Sequence, residues 1–317
     1  MKKFLCITII LATVTGALCA CSEPVGHDGI EVICTTFAAY DWARIIVGDV
    51  TGVSVRLLTD SGVDMHSYSP TVADIAAISD CDVFVYVGGE SDGWVRDALK
   101  NVRNDSQRAL CLLDILGDRA QLEQLLEGMS GVDHDEETEY DEHVWLSLRN
   151  AIMFCRSISD ALCEADAANT DVYRANCDAY CGELSACDEY YTARLAAAPR
   201  KTLIFADRYP FCYFVRDYGL ECYAAFPGCS SESDASFATI IFLAGKIDEL
   251  DIDTIITIEG SAPDIARSVR DNTRRRDMNI VTLNSMQSVS GDLSGVSYLD
   301  IMRSNFAVTE QALGINS

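Results

Sequence analysis

Histidine is scarce in this chain: four occur in 317 residues, against 49 acidic and 24 basic side chains. The shortage of basic residues, with a formal charge of −25, excludes nucleic acid as a partner, because neutralising phosphate needs a basic face. Beyond the first twenty residues no run is long and apolar enough to cross a bilayer. Neither Gly-x-Ser-x-Gly nor His-Glu-x-x-His occurs, so the motifs of a serine hydrolase or a zincin are missing.

What is there begins with a leader. Lys2 and Lys3 precede the apolar stretch "FLCITIILATVTGAL", and "LCAC" (Leu18–Cys21) follows. This pattern marks an export segment rather than part of a fold, and its end resembles a bacterial lipobox. By that resemblance residues 1–20 are removed and Cys21 carries a lipid, with residues 21–29 as a polar tether. Ordinary secretion with cleavage nearby is the alternative. The expected location is outside the cytoplasm, anchored to the cell membrane without spanning it. Removing 20 of 317 residues leaves 297, and loss of Lys2 and Lys3 takes the charge from −25 to −27. Such acidity fits a cation ligand without proving one.

Of fourteen cysteines, Cys6 and Cys19 leave with the leader and Cys21 takes the lipid, so eleven remain. An odd number cannot pair completely within the chain. Cys155, Cys163, Cys177, Cys181 and Cys187 stand among helix formers, where small buried thiols serve as alanine would.

Strands and helices alternate along the rest. "IEVICTT" (30–36), "VSVRLL" (53–58), "CDVFVYVGG" (81–89) and "ALCLLDI" (109–115) are expected strands, with helices behind 38–50, 70–80 and 91–101. Pro70 opens the second of these helices, with Thr71 and Asp74 in its first turn. The segment 128–142, "GMSGVDHDEETEYDE", carries His134 and seven carboxylates without apolar periodicity; it is expected to be a loop, with His134 solvated rather than a ligand. From 170 to 198, Tyr173, Cys177, Tyr180, Leu184, Cys187, Tyr191 and Leu195 recur at spacings of three and four. That stripe predicts one core-packed helix of roughly 40 Å, stopped by Pro199. The grammar then repeats: strands 201–207, 220–226, 254–260 and 278–284, helices 211–219, 234–249, 262–274 and 298–313. The expected fold is α/β: two lobes (30–166 and 200–317), each a mostly parallel four-stranded sheet flanked by helices, joined by a stiff helix across 167–199.

In parallel sheets ligands collect at the carboxyl ends of strands. His66 follows the second strand, Asp207 and Asn284 end strands of the second lobe, and His143 opens the helix after the acidic loop. These four are the candidate metal ligands. Two imidazoles with a carboxylate suit zinc, and a set richer in oxygen admits manganese. Asp64, Asp141 and Glu142 are placed to orient imidazole N–H groups.

The stretch "DMHSYSPTVADIAAISDCDVFVYVGGESDGW" (64–94) closely resembles the first metal-site region of the zinc- and manganese-binding lipoproteins of bacterial ABC uptake systems. "YDEHVWLSLRNA" (140–151), "RYPFCYFVRDYGL" (208–220), "TIITIEGSAPDIARSV" and "VTLNSM" resemble its later regions, so the likeness covers nearly the whole mature chain. The resemblance implies two lobes on one backbone helix with limited closure. It puts His66 and His143 on the first two ligand positions. The third, histidine or glutamate in the family, falls on Arg208, which cannot bind a cation. Asp207, one residue earlier, is taken instead, and Asn284 stands at the fourth, often aspartate. Arg208 is expected to turn away and pair with a carboxylate such as Glu259.

The function so implied is capture of a divalent metal ion, Zn2+ first and Mn2+ or Fe2+ as alternatives, by a monomer that delivers it to an ABC permease. No bond chemistry is assigned. A zinc hydrolase and a surface adhesin that keeps the fold are the readings of other classes.

Overall fold

A computed structural model describes residues 29–59, 62–130, 139–230, 234–289 and 293–315. The leader, Cys21 and His134 lie outside the described residues. Among those described, no helix is long and apolar enough to cross a membrane.

The first lobe runs β1 (Ile30–Cys34), α1 (Phe37–Val47), β2 (Val53–Leu57), α2 (Val72–Asp80), β3 (Val83–Tyr86), α3 (Val95–Ala98), β4 (Arg108–Cys111) and α4 (Leu112–Leu116). All pairings are parallel, in the order β2-β1-β3-β4. The last three residues of β1 and the first three of β3 are buried, as in central strands covered on both faces. α2 is started by a capping box: Thr71 accepts from the Asp74 amide, and the Asp74 carboxylate accepts from the Thr71 amide. Two expectations need correction. The run 109–115 is strand only to Cys111, and its remainder turns into α4, because the apolar run has no polar break to show where the backbone bends. The expected helix 91–101 shortens to α3 and a following single turn of tighter helix.

α5 (Leu148–Ala165) and α6 (Thr170–Ala196) carry the chain onward. α6 has 27 residues, about 40 Å at 1.5 Å per residue. It buries the apolar stripe from Tyr173 to Leu195, with Cys181 added.

The second lobe repeats the first: β5 (Thr202–Tyr209), α7 (Cys212–Asp217), β6 (Glu221–Pro227), α8 (Phe237–Leu250), β7 (Thr254–Ile258), α9 (Asp264–Asp271), β8 (Asn279–Leu283) and α10 (Tyr298–Ala312). Its strands are parallel in the order β6-β5-β7-β8. One hydrophobic cluster runs from Val32 of β1 through Trp42, Phe154 and Leu184 to Phe205 of β5 and Phe306 of α10. The lobes therefore share a core, and opening them widely would expose it.

β5 is irregular at the position that matters. Phe205 pairs with Ala224 and Arg208 with Phe226, so three steps on β5 match two on β6. The extra residue is a bulge, and a bulge re-aims the side chains that follow. All eleven cysteines of the described residues are free, seven of them buried.

Candidate metal centre

The two histidines that stood 77 residues apart meet. His66 lies in a single helical turn, Met65–Ser67, whose cap is Asp64: its carboxylate accepts from the His66 amide at 3.0 Å. His143 precedes another such turn, Val144–Leu146, that leads into α5. Their Nε2 atoms are 3.2 Å apart. Two zinc–nitrogen bonds of 2.0–2.1 Å at a tetrahedral angle span about 3.3 Å, so this pair already has the spacing of one tetrahedral edge.

The side chains around the rings set their lone pairs. His143 is fully buried, and its Nδ1 lies 3.0 Å from Asp141 Oδ1, which also accepts the His143 amide at 2.8 Å. In the tautomer whose Nδ1 donates there, Nε2 is an acceptor aimed at His66. His66 Nδ1 is 2.7 Å from Ser91 Oγ. The Ser91 amide donates to Glu142 Oε1 at 2.9 Å, and Glu142 Oε2 stands 3.8 Å from His66 Nδ1 with no hydrogen-bond partner, though buried. Glu142 fits because residue 89 is glycine: a Cβ there would lie 2.5 Å from Oε1, and φ is +118°. Burial, reinforced by His143 and by the Arg208 charge against Asp64, pushes the pKa of His66 down to about 3. The ring is thus neutral and ready to ligate near pH 7.

A third donor is one the sequence did not single out. Cys229 lies just past the end of β6, and its sulfur and the histidine nitrogens all fall within 4.8 Å of one another. A fourth is Gln287, 4 % exposed. Its amide nitrogen is 3.2 Å from His66 Nε2 and in close contact with His143 Nε2, while its Oε1 is buried without a partner. A half-turn about the last side-chain bond exchanges the two, turning an acceptor oxygen toward the imidazoles.

Asp207 and Asn284, expected as ligands, are not brought to the imidazoles. The β5 bulge directs Asp207 to β7: Oδ2 accepts from the Ile258 amide at 3.1 Å, and Oδ1 from Ser261 Oγ at 3.1 Å and the Arg208 amide at 2.8 Å. Asn284 instead shapes a turn, its Oδ1 accepting from the Met286 amide at 2.8 Å. Met286 has φ +60°, a conformation uncommon outside glycine, and this turn delivers Gln287 three residues on. Arg208 does not pair with Glu259. Both of its terminal nitrogens are 3.2 Å from Asp64 Oδ2. Glu259 is taken up by the Ser285 amide and hydroxyl, both at 2.6 Å, and by the Gln287 amide at 3.2 Å. Asp64 likewise holds the His66 backbone rather than its ring. The same loop is tied to the first lobe, where the Met65 amide donates to Gln287 O and Trp145 Nε1 to Ser285 O.

Comparison with known proteins sets this geometry in a lineage. The profile of the family described as zinc-uptake complex component A, periplasmic (ZnuA), matches residues 32–312. The chain belongs to that family. Among curated members, the zinc-binding lipoprotein AdcA of Streptococcus pneumoniae is 28% identical over 98% of this chain, and the match spans 61% of that protein. The chain thus covers about three-fifths of the length of the streptococcal relatives. The high-affinity zinc uptake system protein ZnuA of Bacillus subtilis is 26% identical, over 92% of this chain and 89% of its own length. The crystal structure of the metal-dependent lipoprotein YcdH from Bacillus subtilis superposes with a TM-score of 0.72 at 26% identity, covering 89% of this chain and 98% of that one. The two parallel four-stranded sheets and the long central helix are the family's fold.

Proposed function

We propose that this protein captures a divalent transition metal ion, zinc first, outside the cytoplasm and delivers it to an ABC permease. The observation that carries the reading is the pair of Nε2 atoms 3.2 Å apart, with the His143 ring fixed by Asp141. Without metal the two rings can share one hydrogen bond, and with both Nε2 lone pairs free the same spacing suits two bonds to one cation. Family membership supports transport as the setting, and relatives named as zinc-binding and zinc-uptake proteins support zinc as the cargo. The nitrogen donors favour zinc over manganese in the same direction.

Capture and release, with no bond made or broken in a substrate, is the assigned task. A lipid on Cys21 would hold a monomer at the membrane face, next to its permease. The boundaries that follow are a first lobe at 30–166, a connecting helix within 167–199 and a second lobe at 200–317.

The test is metal content. The chain from Ser22 onward, purified without chelator, is expected to carry one equivalent of zinc, and His66→Ala and His143→Ala to carry none. Manganese or iron in its place would reassign the cargo. A chain that takes up no metal even after reloading would overturn the reading and leave the adhesin alternative.

A further inference from the structure

From the placement of Cys229 we infer that its thiolate is the third ligand of the captured ion, making a nitrogen–sulfur site that selects thiophilic divalent cations. The inference rests on the metal-capture reading and specifies its chemistry.

Three observations converge on it. First, three of the nearby carboxylates are engaged elsewhere, and the free oxygen of a fourth, Glu142, stands on the Nδ1 side of His66 rather than at the paired Nε2 atoms. Asp207 is turned to β7, Asp64 is held by Arg208, and Asp141 holds His143 Nδ1. Second, the backbone is shaped to bring Cys229 in. Gly228 lies against His143: a Cβ there would meet Tyr209 O at 2.8 Å and His143 Cε1 at 3.0 Å. Only glycine lets the exit of β6 press on the ring, and the next residue is then fixed by donation of the Cys229 amide to Glu123 Oε1 at 2.9 Å. Third, Gln287 Oε1 is a buried acceptor without a partner beside the same atoms, which supplies a neutral fourth donor.

The dimensions also fit. A tetrahedral zinc with bonds of about 2.05 Å to nitrogen and about 2.3 Å to sulfur places nitrogen and sulfur about 3.6 Å apart. The present separations, 4.8 Å or less, close to that with a shift of about 1 Å. Binding displaces the thiol proton to solvent and forms the metal–sulfur bond. One thiolate also offsets the repulsion that Arg208 imposes on a dication. Sulfur favours zinc or cadmium and disfavours manganese, which prefers oxygen.

Cobalt(II) reads the ligand directly, because thiolate coordination adds a near-ultraviolet charge-transfer band to the visible d–d bands. The chain from Ser22 onward, reduced and loaded with Co2+, is expected to show both. Cys229→Ser should lose the charge-transfer band and keep weakened d–d bands. Cys229→His should bind tightly without that band, which separates lost ligation from lost folding. Cys163→Ser, remote from the site, should leave the spectrum unchanged. Bound cobalt without the charge-transfer band, or a band that persists in Cys229→Ser, would overturn the thiolate and leave metal capture standing. Absence of both cobalt and zinc from the unaltered chain would overturn both.

Discussion

Arg208 spans the cleft to Asp64, with both terminal nitrogens 3.2 Å from one carboxylate oxygen. It stands where the resembling lipoproteins carry their third ligand. The pair is partly buried, with side-chain exposures of 20% and 26%, and the charge acts on the site by helping to depress His66. Replacing a repelling cation with a ligand should therefore tighten binding. Arg208→His is expected to raise zinc affinity at least tenfold, about 1.4 kcal/mol, in competition with a chromophoric chelator. Arg208→Met should raise it by less, since it removes repulsion without adding a donor. Weaker binding in both variants would mean that the Asp64 pairing organises the His66 turn.

Glu259 makes a different kind of contribution. Its carboxylate satisfies three donors of the 285–287 loop and so holds the left-handed residue Met286 in place. Glu259→Ala leaves the Ser285 and Gln287 amides without this acceptor, at a cost of about 2–4 kcal/mol. The measurement is urea unfolding of the metal-free chain, followed by zinc titration. Stability should fall and zinc affinity with it, because Gln287 and its tie to Met65 are released. Unchanged zinc affinity would show that Gln287 takes no part in the site.

Much of this was legible in the sequence, and the failures share a cause. His66 and His143 each sit beside a short-range partner, Asp64 and Asp141, so local sequence carried them. The α6 stripe was legible because helical periodicity repeats over 27 residues. The remaining donors depend on backbone events with no periodic signature. An extra residue in β5 turned Asp207 to β7. The left-handed Met286, held by an acid 27 residues earlier, moved the contact from Asn284 to Gln287. Cys229 was hidden among many structural thiols. The one available signal was "PGC" at a strand exit, where glycine permits close approach and ligands collect.

Acid should destabilise the metal-free protein through His66. Its folded pKa is about 3, against roughly 6.5 for an ordinary imidazole. Between these values the unfolded chain binds a proton that the folded chain does not, so stability rises with pH there. The contribution is present in full above about 6.5 and is lost as pH falls toward about 3, up to roughly 5 kcal/mol. Urea midpoints of the metal-free chain across that range should fall steeply, and His66→Gln should flatten the slope. Equal slopes in the two proteins would assign the acid sensitivity to other groups.

Gly228 is open to a minimal change. In Gly228→Ala the new methyl meets a backbone carbonyl and a fully buried imidazole, neither of which can swing away. A loss of about 1–3 kcal/mol is expected, with displacement of His143 and weaker metal binding. Thermal unfolding with and without zinc checks it: the shift in midpoint caused by zinc should shrink more than the metal-free midpoint falls. If both midpoints fell equally, the ring would have kept its place.

The shared core makes a prediction about cooperativity. Two-lobed proteins can unfold in two steps when each lobe has its own core. Here one cluster contains Val32, Leu184 and Phe205, so loss of either sheet exposes apolar surface on the other. All three tryptophans, Trp42, Trp94 and Trp145, belong to the first lobe, and Trp42 and Trp145 also touch Tyr298 and Ser285 of the second, so their fluorescence reports the first lobe and its seam with the second. Far-ultraviolet circular dichroism reports the whole chain. The two probes should therefore trace one coincident transition in urea. Leu184→Ala empties a fully buried position on α6 and should shift both curves together by about 2–5 kcal/mol. If the fluorescence curve moved alone, or the curves separated in the unaltered protein, the lobes would be unfolding independently. α6 would then be a connector rather than the centre of a common core, and closure on metal would have a wider hinge than the packing allows.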